Sequence, residues 1–159
     1  MRPQAGPPTI EAMPTAPAPG PSHSVEHMPP PVRLGRLVEG GLAPAILAVV
    51  ERGVHHRPAL AAEFRAEVEL ALADAVGPVR IEFAGSHVLV EDGPALDPDL
   101  RIAGTMSDLT SLMVTPLVGG VPSPIRARGR AALGLVAGGR VRVTGRVGLM
   151  RRFLRLIRV

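Results

Sequence analysis

The chain has 159 residues and a formal net charge of +4, from 18 cations, all arginine, against 14 acids. It contains no cysteine, which excludes a disulfide framework, a thiolate metal site and a cysteine nucleophile. Apart from histidine the only aromatic residues are three Phe, too few for a surface that stacks nucleic-acid bases.

More than half of the 18 prolines fall within residues 1–31. That stretch reads as a disordered Pro/Ala-rich tail, leaving 32–159 as a single domain. No apolar stretch of signal-peptide length follows Arg2. The longest apolar run, residues 42–50, is interrupted by Pro44 and falls well short of the roughly 20 residues that span a bilayer. The expectation is a cytoplasmic protein, soluble or peripheral on a membrane. Charge is unevenly placed: residues 126–159 carry ten Arg and no acid, while 33–125 carry seven Arg against twelve acids. The basic end suits an anionic partner, or it is a solvated face balanced by acids folded nearby.

The first predicted pattern is helical over residues 32–54, around Gly40-Gly41, with Leu42, Ile46, Val49 and Val50 on one face and Gly53 as its stop. Pro58 suits the first turn of a second helix. Leu60, Phe64, Val68, Leu72 and Ala75 follow at helical spacing, up to Gly77-Pro78. Val79, Ile81 and Phe83 alternate with Arg80 and Glu82, and Val88 and Val90 with Leu89 and Glu91. With Gly85-Ser86 between, this is a hairpin. Asp92-Gly93-Pro94 turns the chain into a third strand around Leu100 and Ile102. A helix starts near Ser107, capped by Thr105 or Ser107, with Asp108 in its first turn. Its stripe is Leu109, Leu112, Met113 and Leu117, and Gly119-Gly120 breaks it. Ser123-Pro124 opens another helix, with Ile125, Ala132, Leu133 and Val136 on one face. After Gly138-Gly139, Val141 and Val143 alternate with Arg140, Arg142 and Thr144 in a last strand closed by Gly145. The final helix is strongly amphipathic. Leu149, Met150, Phe153, Leu154 and Ile157 gather on one side; Arg151, Arg152, Arg155 and Arg158 gather on the other.

Three strands in sequence predict an antiparallel meander, which the last strand joins in either sense. The class is α+β, with helices packed on one face of the sheet.

No catalytic, metal or cofactor centre is expected. His55 and His56 are adjacent and point apart on a helix; His23 and His27 lie in the tail and His87 in the hairpin turn. Asp97-Pro98-Asp99 resembles a carboxylate pair but sits where a turn enters a strand. The glycine pairs lack phosphate-loop spacing, and no Ser or Thr has a His-acid pattern around it.

Three pieces together resemble the sterol carrier protein type 2 family. The first is the hairpin of residues 79–83 and 88–90. The second is Pro98-Asp99-Leu100-Arg101-Ile102-Ala103-Gly104-Thr105 leading into Ser107-Asp108-Leu109. The third is Gly139-Arg140-Val141-Arg142-Val143-Thr144-Gly145 followed by Val147-Gly148-Leu149. The likeness covers residues 58–159. It implies a mostly antiparallel, curved sheet of four to five strands, covered on one face by helices and enclosing an apolar cavity. It further implies non-catalytic carriage of a sterol, fatty acyl chain or isoprenoid/quinone-type lipid. A protein partner in lipid or quinone metabolism fits the same resemblance. Two departures stand out: Arg146 occupies a place where the family often has Asn or Asp, and the stretch 118–138 is longer than the family's usual link.

A lipid site needs a concave apolar surface and few polar groups. The candidates are Phe83, Leu109, Leu112, Met113, Leu117, Met150, Phe153, Leu154 and Ile157; the two methionines suit an irregular chain. The same residues would equally fill an ordinary core. The final helix could dock on anionic membrane through Arg151, Arg152, Arg155 and Arg158, or its apolar side could simply close the core. The alternatives are a partner-binding accessory subunit of a lipid or quinone biosynthetic complex, or a nucleic-acid-binding module using the ten C-terminal arginines. The scarcity of aromatics and the apolar residues interleaved with those arginines weigh against the nucleic-acid module.

Overall fold

A computed structural model of the chain describes residues 28–113, 117–118, 121–122 and 127–158. The predicted tail up to residue 27, the Gly119-Gly120 break and the Ser123-Pro124 helix start with Ile125 lie outside the described residues. The elements in chain order are β1 (Val32–Leu34), α1 (Ala43–His56), α2 (Pro58–Glu63), β2 (Ala66–Leu72), β3 (Val79–Phe83), β4 (Val88–Asp92) and β5 (Leu100–Gly104). They continue with α3 (Met106–Met113), β6 (Leu117–Val118), β7 (Val121–Pro122), α4 (Ala127–Ala137), β8 (Arg142–Gly145) and α5 (Val147–Ile157).

The main sheet has six strands in the order β1-β4-β3-β2-β5-β8, and β6 and β7 form a separate antiparallel pair. The sheet is mixed, which corrects the mostly antiparallel expectation of four to five strands: β1–β4 and β2–β5 are parallel, and the other three pairings are antiparallel. The hairpin is where the sequence puts it. Phe83 pairs with Val88 and Val79 with Asp92, and Gly85 takes φ 78° in the turn, a conformation glycine adopts without strain. The meander fails because β2, read as the second half of a helix, lies between β3 and β5.

The cause of that misreading is arithmetic. Phe64, Val68 and Leu72 recur every four residues, a spacing that satisfies both a helix face and one face of a strand. The residue that separates the two readings is Leu70, fully buried with Ala66, Val68 and Leu72 while Glu67 and Glu69 face the other way. The helix therefore stops at Glu63, and Phe64 is extended. The expected helix over 32–54 is also divided: 32–34 form β1, and α1 begins only at Ala43 and runs past Gly53 to His56. Leu117 is likewise on β6, not on the stripe of α3. Pro116 in the sequence has no backbone N–H and disfavours helical geometry in the residue before it.

The core lies between the sheet and the helices. Ile46, Val50 and Val54 of α1 and Phe153, Leu154, Leu156 and Ile157 of α5 pack over Val68, Leu70, Ile81, Val90, Leu100 and Ile102. Helix ends are held by both distant and local groups. Leu42 gives α1 no side-chain cap; instead buried Asp92 accepts the N–H of Ala43 at 3.0 Å and of Val38 at 3.1 Å. A side chain at Gly41 would strike that carboxylate. Thr105 Oγ1 accepts the Asp108 N–H at 3.1 Å, and Asp74 accepts that of Met106 at 2.9 Å. At the other end of α5, Arg57 donates to the carbonyl of Arg158 at 2.5 Å and of Leu156 at 3.4 Å, where the helix dipole favours a cation.

Candidate functional site

The predicted apolar residues come together in part. Phe83 on β3, Leu109 on α3 and Phe153, Leu154 and Ile157 on α5 are all buried in one cluster. Phe83 lies edge-on to both other phenylalanines, with ring centroids 4.8 Å from Phe64 and 6.2 Å from Phe153. Such T-shaped pairs add about 0.5–1.5 kcal/mol beyond area burial. Leu112 and Met113 lie on α3 and Leu117 on β6, with side chains outside the described residues.

Along α5 burial changes character. Its last two turns are sealed against α1 and the sheet through Phe153, Leu154, Leu156 and Ile157. Its first turn is open: Val147 is 65% exposed, while Leu149 and Met150 are half-buried against the core. Met106 of α3, Leu135 of α4 and Val143 of β8 are half-buried in the same way. This β5–β8 side of the interior is therefore apolar and incompletely covered. The sequence reading missed Leu156, although it lies three residues beyond Phe153 and so shares its face. It also missed Leu135 and Met106 as lining residues.

The arginines of α5 divide. Arg151, Arg152 and Arg155 are exposed, whereas Arg158 is half-buried and its carbonyl is held by Arg57. Arg146 precedes α5 in extended conformation and makes no side-chain cap, the consequence of having no Asn or Asp there.

The opposite face of the sheet is polar. Arg80 bonds Glu67, Glu91 at 2.7 Å and Glu82 at 2.9 Å. The Arg80 hydrogen bond, helped by the Arg36 N–H, holds the Glu91 carboxyl below the usual carboxylate range. Asp99, half of the suspected carboxylate pair, accepts the Glu67 N–H at 3.0 Å. His55 Nδ1 lies 2.9 Å from the Glu51 carbonyl on its own helix. Among the described residues no three His, Asp or Glu side chains converge as a metal site.

No family model and no curated protein matches the sequence. Solved structures match its fold. The SCP2 domain of UbiJ, a ubiquinone synthesis protein, is 18% identical and aligns over 73% of this chain and 88% of its own, with a TM-score of 0.53. Sterol carrier protein domain 2 of Helicoverpa armigera is 14% identical over 73% of this chain and 84% of its own, with a TM-score of 0.52. The chain has an SCP2-like fold. At these identities the likeness concerns the arrangement of the backbone; the residues that would touch a ligand are this chain's own. No helix among the described residues is long and apolar enough to cross a membrane.

Proposed function

We propose that the protein binds and carries a hydrophobic ligand, without catalysis, on the β5–β8 side of its SCP2-like interior. The observation that supports this most is the fold itself, shared with domains named as sterol carriers and with a ubiquinone synthesis protein. The ligand class is a sterol, a fatty acyl chain or an isoprenoid/quinone-type lipid. Leu109, Leu135, Val143, Leu149 and Met150 would lie against it, while Phe83, Phe153, Leu154 and Ile157 form the packed floor. The half-covered first turn of α5 is the proposed entrance. Exposed Arg151, Arg152 and Arg155 would rest in an anionic headgroup layer, with Val147 and Leu149 reaching toward the acyl boundary. A protein partner in lipid or quinone metabolism would receive the cargo.

Native mass spectrometry of the purified full chain tests the carriage. The expected result is a co-purifying lipid, or uptake of a fluorescent fatty acid that Met150→Glu weakens. No lipid, together with no uptake, would overturn the proposal. Sedimentation with phosphatidylglycerol vesicles tests the docking. Wild type should bind, and the triple change of Arg151, Arg152 and Arg155 to Gln should not; equal binding by both would end the docking idea.

A further inference from the structure

The polar face of the sheet carries an open concavity, on the side away from the helices. It is a trough of about 350 Å³ between β2 and β5. Its floor is made by Ala71 and Ala103, two small side chains where the neighbouring positions on the same face hold Glu69 and Arg101. Ala73, Gly77 and Pro78 also line it. The trough exists because β2 and β5 are parallel neighbours in register, Ala71 opposite Ala103, so two short side chains leave one gap.

Its polar end is preset. Glu69 is only 1% exposed. Its Oε2 accepts the Ala95 N–H at 3.0 Å, and its Oε1 lies 2.7 Å from Arg101 Nη2 in an ion pair whose angles fall outside hydrogen-bond geometry. The Arg101 side chain is 56% exposed. A guanidinium has five N–H donors in a fixed fork, more than one carboxylate oxygen beside Nη2 can use. Across the β5–β8 pair Ala103 lies opposite Arg142, which is exposed.

We infer that this trough is a binding site for a small amphipathic organic anion: a compact, flat apolar body on Ala71 and Ala103, with a carboxylate on Arg101. The apolar floor selects the body, and the exposed part of the Arg101 guanidinium selects the charge. The site is independent of the lipid interior, because the sheet lies between them.

Titration of the full, 15N-labelled chain with sodium 2-naphthoate, followed by amide shifts, tests it. Saturable shifts are expected at Ala71 and Ala103. The neutral 2-naphthamide should bind at least about tenfold more weakly, as should Arg101→Gln, since each removes a charge-assisted hydrogen bond. Because Arg101→Gln leaves Glu69 buried without its cation, Ala103→Leu provides a second test. It fills the floor, leaves the Glu69–Arg101 pair intact, and should abolish the shifts at Ala71. Equal binding of the acid and the amide would overturn the inference. Unchanged binding by Ala103→Leu, or shifts confined to Leu109 and Phe153 inside the core, would do so too.

Discussion

Replacing Gly53 by Ala should destabilise the protein, whereas the same replacement at Gly134 should stabilise it. Both glycines lie within helices, α1 and α4, where Ala is favoured over Gly by about 0.8–1 kcal/mol. Propensity alone therefore gives both changes the same sign. The surroundings differ. A Cβ at position 134 meets nothing within 4 Å. A Cβ at position 53 would overlap the carbonyl oxygen of Leu156 and lie 3.0 Å from its carbon and 3.2 Å from the Ile157 Cα. These are backbone atoms of α5, which no rotamer change can move aside. The crossing of α1 and α5 must open, and Phe153, Leu156 and Ile157 must lift from the core. Overpacking of this kind costs about 1–3 kcal/mol, and a collision with backbone belongs in the upper part of that range. Net of the helix gain, Gly53→Ala should lose about 1–2 kcal/mol and Gly134→Ala should gain about 0.5–1 kcal/mol. Urea unfolding followed by circular dichroism at 222 nm reads both, with the m-value checked for constancy. A Gly53→Ala protein as stable as Gly134→Ala would refute the close helix crossing, and with it the sealed end of α5.

Three further outcomes follow from the contacts. Asp92→Ala removes the acceptor of two backbone N–H groups at the start of α1 and should cost about 2 kcal/mol in the same unfolding assay; a loss under about 0.5 kcal/mol would mean that water replaces the cap. Arg57→Met should speed hydrogen exchange in the last turn of α5, whose Leu156 and Arg158 carbonyls it holds, while leaving β3 and β4 protected. The Glu91 carboxyl titrates below its usual value because of Arg80. The unfolded chain therefore binds more protons in acid, and stability rises with pH there. The contribution is complete above the ordinary carboxylate value of 4.5 and is lost as pH falls through the depressed folded-state value. Urea midpoints between pH 3 and pH 7 should show a smaller acid loss in Glu91→Gln than in wild type.

Where one local pattern had a single reading, the amino-acid sequence was sufficient. The hairpin around Gly85-Ser86, the strand from Leu100 into the Thr105-capped helix, the last strand and the amphipathic α5 all follow from alternation, turn residues and caps. Those same pieces carried the resemblance that the solved structures bear out at the level of fold. Local pattern could not separate helix from strand at residues 66–72, because a four-residue repeat fits both. With β2 unread, the parallel pairings and the sheet order were out of reach.

Other features belong to tertiary structure alone. That Asp92 caps a helix 49 residues earlier, and that Gly53 is a contact point where Gly134 is open space, depends on which segments meet. The trough at Ala71 and Ala103 arises only when β2 and β5 lie side by side in register. Sequence specifies the faces that each element must bury, since burial of apolar surface is a property of single residues. Which partner buries each face, and what gap remains between small side chains, is decided by the packing of the whole chain.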